Sequence, residues 1–329
     1  MISGRTAPVP DYAPEGPRWV RPLGSTGLNT TAIGLGGAPL SSMPHVLGYE
    51  VPRDRAVALV ETVLSSPIGL IDTSNGYGDG ESEIRIGEAL RRSAGTDETL
   101  IVTKVDADGG DYSGERVRRS VDESRERLGM DVLPLVHLHD PEFHDFDDLT
   151  APGGAVDALI ELKHSGAIGA IGVAGGHAPT MGRYVGLGVF DALLVHNRLT
   201  LVDRSAEAIV ANAKDRGMAV FNAAVFGGGI LAAPRSGRTT YGYRPADPTL
   251  LQAVAAMADL CDEYGVDLAS VAVQAALREP LVDCTLIGMS RPERVATMLE
   301  SASLTVPDEL WPRIAALRPT PEHWLDARV

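Results

Sequence analysis

The sequence predicts an α/β fold, a closed (β/α)8 TIM barrel, on two observations. After residue 30, short β-type apolar runs alternate with helical stretches through eight repeats. Residues able to do chemistry stand at the C-terminal ends of those runs, where a barrel gathers its active-site loops. An open doubly wound sheet would need a glycine-rich phosphate fingerprint after its first strand and an acid about twenty residues further on. Gly34-Leu35-Gly36-Gly37 does not complete that fingerprint, and no matching acid follows.

The elements follow in order. Ile33-Gly34-Leu35-Gly36 is the first barrel strand, and residues 54–66 form a helix with Val57, Val60, Val63 and Leu64 on one face. Residues 69–72 are the second strand, 83–92 the next helix and 100–104 the third strand. A charged amphipathic helix over 115–128 leads to the fourth strand at 133–138. A helix at 155–164 precedes the fifth strand at 168–173. Residues 192–195 and 218–221 read as strands six and seven around a helix at 205–215. A long helical region spans 248–277, interrupted near Gly265, before the eighth strand at 284–287. Arg291-Pro292-Glu293 opens the last helix, with proline suited to a first turn. Residues 18–329 therefore read as one barrel domain.

Composition narrows the function classes. A formal net charge of −15 makes nucleic acid and anionic membrane surfaces poor partners. No apolar run approaches the ~20 residues of a membrane span. Cys261 and Cys284 form no disulfide framework and no zinc motif. The first seventeen residues hold four prolines and no apolar core, so they read as a flexible tail, not a secretory signal, on a cytoplasmic protein.

The chemistry concentrates in three segments. Ile71-Asp72-Thr73-Ser74-Asn75-Gly76-Tyr77-Gly78 puts a carboxylate and a phenol five residues apart, where a strand gives way to a turn. Lys104 closes the next strand, and His139 follows the one after. Each alone has an ordinary explanation, as a turn former, a rim aromatic, a solvated strand end or a core histidine. In this order at successive strand ends they form a proton-handling set. An ammonium beside Tyr77 would lower the phenol pKa, Asp72 would hold that ammonium, and His139 would orient a substrate oxygen.

These segments resemble the aldo-keto reductases. Residues 21–28, then Ile33-Gly34-Leu35-Gly36-Gly37, look like the family's opening β-hairpin and first strand. The Asp72–Gly78 segment with Glu83 and Gly87 resembles its main signature, and His139-Asp140-Pro141 sits where the family carries its catalytic histidine. The resemblance runs over residues 18–318 and implies a nicotinamide cofactor and the catalytic set Asp72, Tyr77, Lys104 and His139. His139-Asp140-Pro141-Glu142 and residues 221–231 are most similar to the aldose 1-dehydrogenase branch, whose members oxidise a cyclic hemiacetal to a lactone. The implied substrate is a small carbonyl compound or a sugar.

Departures from the family pattern redirect the cofactor contacts. Where the family places Ser-Asn, this chain has Ala174-Gly175-Gly176-His177, so the backbone of Gly175 and Gly176 is expected to hold the carboxamide. His196, or Asn197 on a slipped register, takes the place of a glutamine. Phe226 is the candidate to stack on nicotinamide, and Gly227 and Gly229 would admit a pyrophosphate. Ser290, Arg291 and Arg294, between the last strand and its helix, are candidates for the adenosine phosphate, which points to NADP with NAD as the alternative. Tyr49 and His177 are candidate substrate contacts, with Asp106, Tyr241, Tyr243 and Trp324 as further rim residues.

Two rival readings remain at this level. His137 and His139 point to the same side of a strand, so with His177 and His196 they could serve a zinc-dependent hydrolase. A non-catalytic nucleotide sensor on the same fold is the other. The leading reading uses no metal, and the sequence leaves the oligomeric state open.

Overall fold

A computed structural model describes residues 10–44, 48–93 and 98–328. Eight parallel strands close into a barrel. In chain order, a hairpin of β1 (Val20–Pro22) and β2 (Asn29–Thr31) comes first. The barrel is β3 (Ile33–Gly36), β4 (Leu70–Asp72), β5 (Leu100–Val105), β6 (Leu133–His139), β7 (Ile168–Gly175), β8 (Ala192–His196), β9 (Ala219–Ala223) and, after a small hairpin, β12 (Cys284–Gly288). That small hairpin is β10 (Thr240–Tyr241) with β11 (Arg244–Pro245). β12 pairs with both β3 and β9 and completes the ring.

Two apolar layers hold the ring, and strand alternation sorts residues between them. Leu70, Val102, Leu135, Ala170, Leu194 and Phe221 fill the interior. Ile71, Ile101, Val136, Ile171, Leu193 and Val220 face the surrounding helices. Leu23, fully buried, extends the interior cluster from the first hairpin. Gly24 makes this docking close: a β-carbon there would lie 2.4 Å from Ala219 N.

Local signals set most helices. Ser113 caps the helix Gly114–Leu128, and Gly129, at φ 73°, ends it. The region expected to be helical over 248–277 is two helices, Pro248–Glu263 and Leu268–Leu277, capped by Asp247 and Asp267. Gly265 turns the chain between them at φ 67°. A helix at Ala178–Gly186 was not expected, because Pro179, Gly182 and Gly186 break up its apolar pattern. It forms because Met181, Tyr184 and Val185 bury against the core. No described helix is long and apolar enough to cross a membrane.

The expected N-terminal tail divides. Its first nine residues lie outside the described residues. Residues 10–16 form consecutive turns through Ala13 N to Pro10 O and Gly16 N to Ala13 O, and Tyr12 packs against the core. Cys261 and Cys284 are both buried free thiols.

The helix Glu81–Arg92 lies so close to the helix Gly114–Leu128 that a β-carbon on Gly87 would stand 2.0 Å from the Arg127 carbonyl oxygen. Gly87→Ala is expected to destabilise the fold by about 1–3 kcal/mol through overpacking. A urea titration checks this; an unchanged midpoint would mean that the contact yields freely.

Candidate active site

Alternation along the strands assembles the site. Asp72, Lys104, His137 and His139 fall on the inward parity of β4, β5 and β6, above Leu70, Val102 and Leu135. The Lys104 side chain is only 1% exposed, so its ammonium must be answered from within. Its Nζ lies 2.8 Å from Asp72 Oδ2, 2.6 Å from the Thr73 carbonyl oxygen and 3.2 Å from the Tyr77 hydroxyl.

A buried polar scaffold positions the Tyr77 loop. Asn75 donates through Nδ2 to the Ser120 carbonyl oxygen and to Glu123, and its Oδ1 accepts from Arg116. Glu83, fully buried, accepts from Thr103 at 2.5 Å and pairs with Arg127 at 3.2 Å. Gly78, Asp79 and Gly80 all take positive φ, so the chain turns sharply behind the phenol. The signature residues Asn75, Glu83 and Gly87 thus serve the placement of Tyr77.

The charges differ from expectation. Burial, then Asp72, Asp140 and Asp106, raises the Tyr77 pKa well above that of a free phenol. The depression expected from Lys104 is outweighed, because three carboxylates and desolvation act against phenolate. Burial also raises Asp72, with Lys104 opposing.

His139 completes the mouth. Its Nδ1 lies 2.6 Å from Asp106 Oδ1 and 3.0 Å from Ser74 Oγ. Its ring meets that of Tyr77 edge to face, with centroids 5.5 Å apart. Burial opposes its charge, yet Asp106 and Asp140 carry its pKa above the ordinary value. Asp106, expected at the rim, is thereby engaged with His139. Asp140 stands beyond it at φ 45°, with Oδ1 3.8 Å from His139 Nε2 and 3.7 Å from His196 Nε2. That oxygen has no hydrogen-bond partner among the described residues.

The cofactor candidates scatter more. Ser290 and Arg294 follow β12 beside the β9 loop, and Tyr49, expected to touch substrate, faces Ser290 with Arg238 and Arg294 near it. Arg238 was not anticipated; its guanidinium lies over Gly229. Arg238, Arg291 and Arg294 have no carboxylate partner among the described residues, although the chain is acidic. A β-carbon at Gly228 would meet no heavy atom closer than 3.8 Å, so this backbone is open to a ligand. An unpaired cationic cluster beside open glycine backbone fits the phosphates of a dinucleotide.

Other expectations are corrected. Gly175 ends β7 with its α-carbon turned toward Glu142 and Met181 on the helix side, because strand parity faces it outward. The Gly176 amide already donates to Glu142 Oε1, so it is not free for a carboxamide. Gly227 is required by the Tyr241 ring, since a β-carbon would lie 2.2 Å from it. Tyr241 is buried and donates to the Asn197 carbonyl oxygen at 2.6 Å, so it is no rim residue. Phe226 packs against both large core clusters. His177 caps a helix and holds Thr180 at 2.7 Å through Nδ1, while Nε2 has no hydrogen-bond partner among the described residues. Trp324 donates to the Pro319 carbonyl oxygen.

The zinc reading loses its ligands. His137 is buried beneath His139 against Gly172 and the Phe221 ring. Burial, then Lys104 and His139, drives its pKa well below normal and keeps it neutral. Among the described residues, the group close enough to share a metal is Asp140, Glu142 and His196, without His137 or His139.

A closed barrel with aspartate, tyrosine, lysine and histidine converging at its C-terminal mouth, beside an anion cradle, defines a hydride-transferring barrel enzyme. The chain belongs to the aldo/keto reductase family, whose model matches residues 32–319. It is 33% identical to a pyridoxal 4-dehydrogenase of Microbacterium luteolum, over 88% of this chain and 95% of that one. It is 31% identical to a D-threo-aldose 1-dehydrogenase of a Pseudomonas species, over 90% and 97% of the two chains. An aldo-keto reductase structure from Bacillus halodurans superposes with a TM-score of 0.74 at 20% identity, covering 94% of this chain and 99% of the other. The protein is an NAD(P)-dependent oxidoreductase of small carbonyl or sugar substrates. Neither the hydrolase nor the sensor reading is supported by these relationships.

The Lys104–Asp72 pair is buried on both sides. Asp72→Asn is expected to cost about 3–5 kcal/mol, because it leaves the ammonium uncompensated. Thermal unfolding checks this, and a melting temperature within a degree of wild type would contradict it.

Proposed function

We propose that the enzyme interconverts an aldose hemiacetal and its lactone using NADP, within a single barrel domain over residues 18–329 of a cytoplasmic protein. The observation that carries the substrate class is Asp140. Its carboxylate Oδ1, without a hydrogen-bond partner among the described residues, lies 3.8 Å from His139 Nε2 and 3.7 Å from His196 Nε2. Hydroxyl groups are the natural donors for such an oxygen, and the Asn197 side-chain oxygen and the Tyr243 phenol add polar partners. The pyridoxal and aldose dehydrogenases among the relatives support this class.

The nicotinamide, when bound, supplies or accepts the hydride. Tyr77 stands as a neutral phenol and gives its hydrogen to the substrate oxygen. Lys104, 3.2 Å from that hydroxyl and clamped by Asp72, fixes the phenol and stabilises negative charge at the shared oxygen. His139 aligns the oxygen from the other side. Arg294, Arg238, Ser290 and the Gly228–Gly229 backbone would hold the phosphates, and Arg291 beside them favours NADP over NAD.

Tyr77→Phe is expected to lower turnover by about 10²–10⁴-fold. Fluorescence titration should still show NADPH binding, tighter than NADH, within a few-fold of wild type. Near-wild-type turnover would refute the assignment of Tyr77. Asp140→Asn should reduce kcat/KM for aldoses by about tenfold or more, from loss of a charge-assisted hydrogen bond. Aldehydes without hydroxyls, assayed at the same pH, should keep theirs. An equal loss for both would remove Asp140 from substrate selection.

A further inference from the structure

The barrel wall has a second face with a cleft of its own. Strand parity turns Ala219 and Phe221 of β9 inward, so Asn222 between them faces the helix layer. There a cavity of about 340 Å³ lies between Asn222, the segment 199–204 after β8, the helix Leu268–Leu277 and the helix Leu310–Ala316. Its cause is visible in the sequence. Ala272, Ala275 and Ala276 share one face of their helix, and their methyl groups are too short to close on Trp311 and Ile314 of the other helix. Protein interiors otherwise pack closely, and a cavity of this volume lies in the range of small-ligand sites.

Leu199, Val225, Ile314 and the alanines make its walls largely apolar, but one charge on them is unanswered. Arg204 is paired with Glu207 at 3.0 Å and with Glu279 at 2.7 Å. Arg278 lies over the Trp311 ring, 4.7 Å from its centroid, and reaches Asp308 at 3.7 Å. Arg318 differs. Its Nε donates to the Leu201 carbonyl oxygen at 3.0 Å, and its guanidinium makes no ion pair among the described residues. Burial, then Arg204, holds its pKa below the ordinary value. Glu207 and Glu279 favour its charge, but both are engaged with Arg204. A guanidinium does not give up its proton in a protein, so the charge persists at the cleft. The bond through Nε fixes one edge of the fork and leaves Nη1 and Nη2 to a ligand. Trp311 Nε1, buried at the same cleft, also has no hydrogen-bond partner among the described residues.

We propose that this cleft binds a small organic carboxylate with an apolar body, the carboxylate on Arg318 and the body against Trp311 and the alanine face. The guanidinium fork matches the two oxygens of a carboxylate. A sugar or a multiply charged ligand would set unpaired polar groups against apolar wall. The site lies on the helix side of β9, whereas the catalytic set faces inward, so it is independent of the proposed sugar chemistry.

Calorimetric titration of the full chain with naphthoate tests the site, in saturating NADPH so that the dinucleotide cradle is already occupied. Saturable binding of about one naphthoate per chain is expected, with a dissociation constant of about 1 mM or tighter. Naphthalenemethanol, the uncharged counterpart, should bind about tenfold or more weakly. Arg318→Gln should weaken naphthoate by about tenfold or more and bring the two ligands to similar affinity. Ala275→Leu fills the cleft without touching a charge, and should abolish binding while turnover is kept and the melting temperature holds or rises. Absence of saturable binding, or naphthoate binding unmoved by Ala275→Leu, overturns the site. Equal binding of acid and alcohol to the wild type, or naphthoate binding unmoved by Arg318→Gln, overturns the carboxylate class. If one variant folds poorly, the other and the acid–alcohol comparison on the wild type decide. The heat of binding reads no turnover, so the result is separate from failure of the catalytic reading, which Tyr77→Phe tests.

Discussion

The ammonium of Lys104 is the constraint around which the mouth is organised. A lysine 1% exposed at the end of a barrel strand is tolerable only when its three donors are met. Asp72, the Thr73 carbonyl oxygen and the Tyr77 hydroxyl meet them, and each comes from β4 or the turn that follows it. That turn is in turn fastened to the helix Gly114–Leu128 through Asn75 and to the helix Glu81–Arg92 through Glu83. The close approach of those two helices at Gly87 belongs to the same arrangement. Residues far from the mouth therefore bear on where the phenol points.

The distribution of carboxylates gives this mouth its electrical character. Asp72, Asp106 and Asp140 surround two groups of opposite tendency, and their effects divide. All three hold the Tyr77 phenol neutral, and Asp106 and Asp140 favour positive charge on His139. One field thus acts in opposite senses on two rings that meet edge to face. Away from the mouth the polarity reverses, and arginines without a carboxylate partner among the described residues gather where the loops after β9 and β12 meet. An acidic chain that collects arginine there offers an anion a local well within an otherwise repulsive surface.

Several glycines and aromatics have a different significance in the fold than in the sequence. Gly227 reads as room for a pyrophosphate, but the Tyr241 ring already requires it. Phe226 packs in the core, and Gly175 is outward on β7 because the strand runs two residues longer than its apolar pattern. Tyr49 belongs beside Ser290, a contact between segments 241 residues apart that no local pattern records. Arg238 escaped notice for the same reason: its loop has no periodicity, and only the Gly229 backbone beneath it gives it meaning.

The sequence by itself determined the barrel, the order of its strands and the convergence of Asp72, Tyr77, Lys104 and His139 at its mouth. Those follow from local rules: apolar periodicity sets the elements, and two-residue alternation sets which side chains face inward. The tertiary structure decided the engagement of Asp106 with His139, the neutral state of Tyr77, the burial of His137 and the membership of the anion cradle. Each of these depends on distance and desolvation between segments remote in the chain, and a Coulombic balance exists only once the fold has fixed the separations.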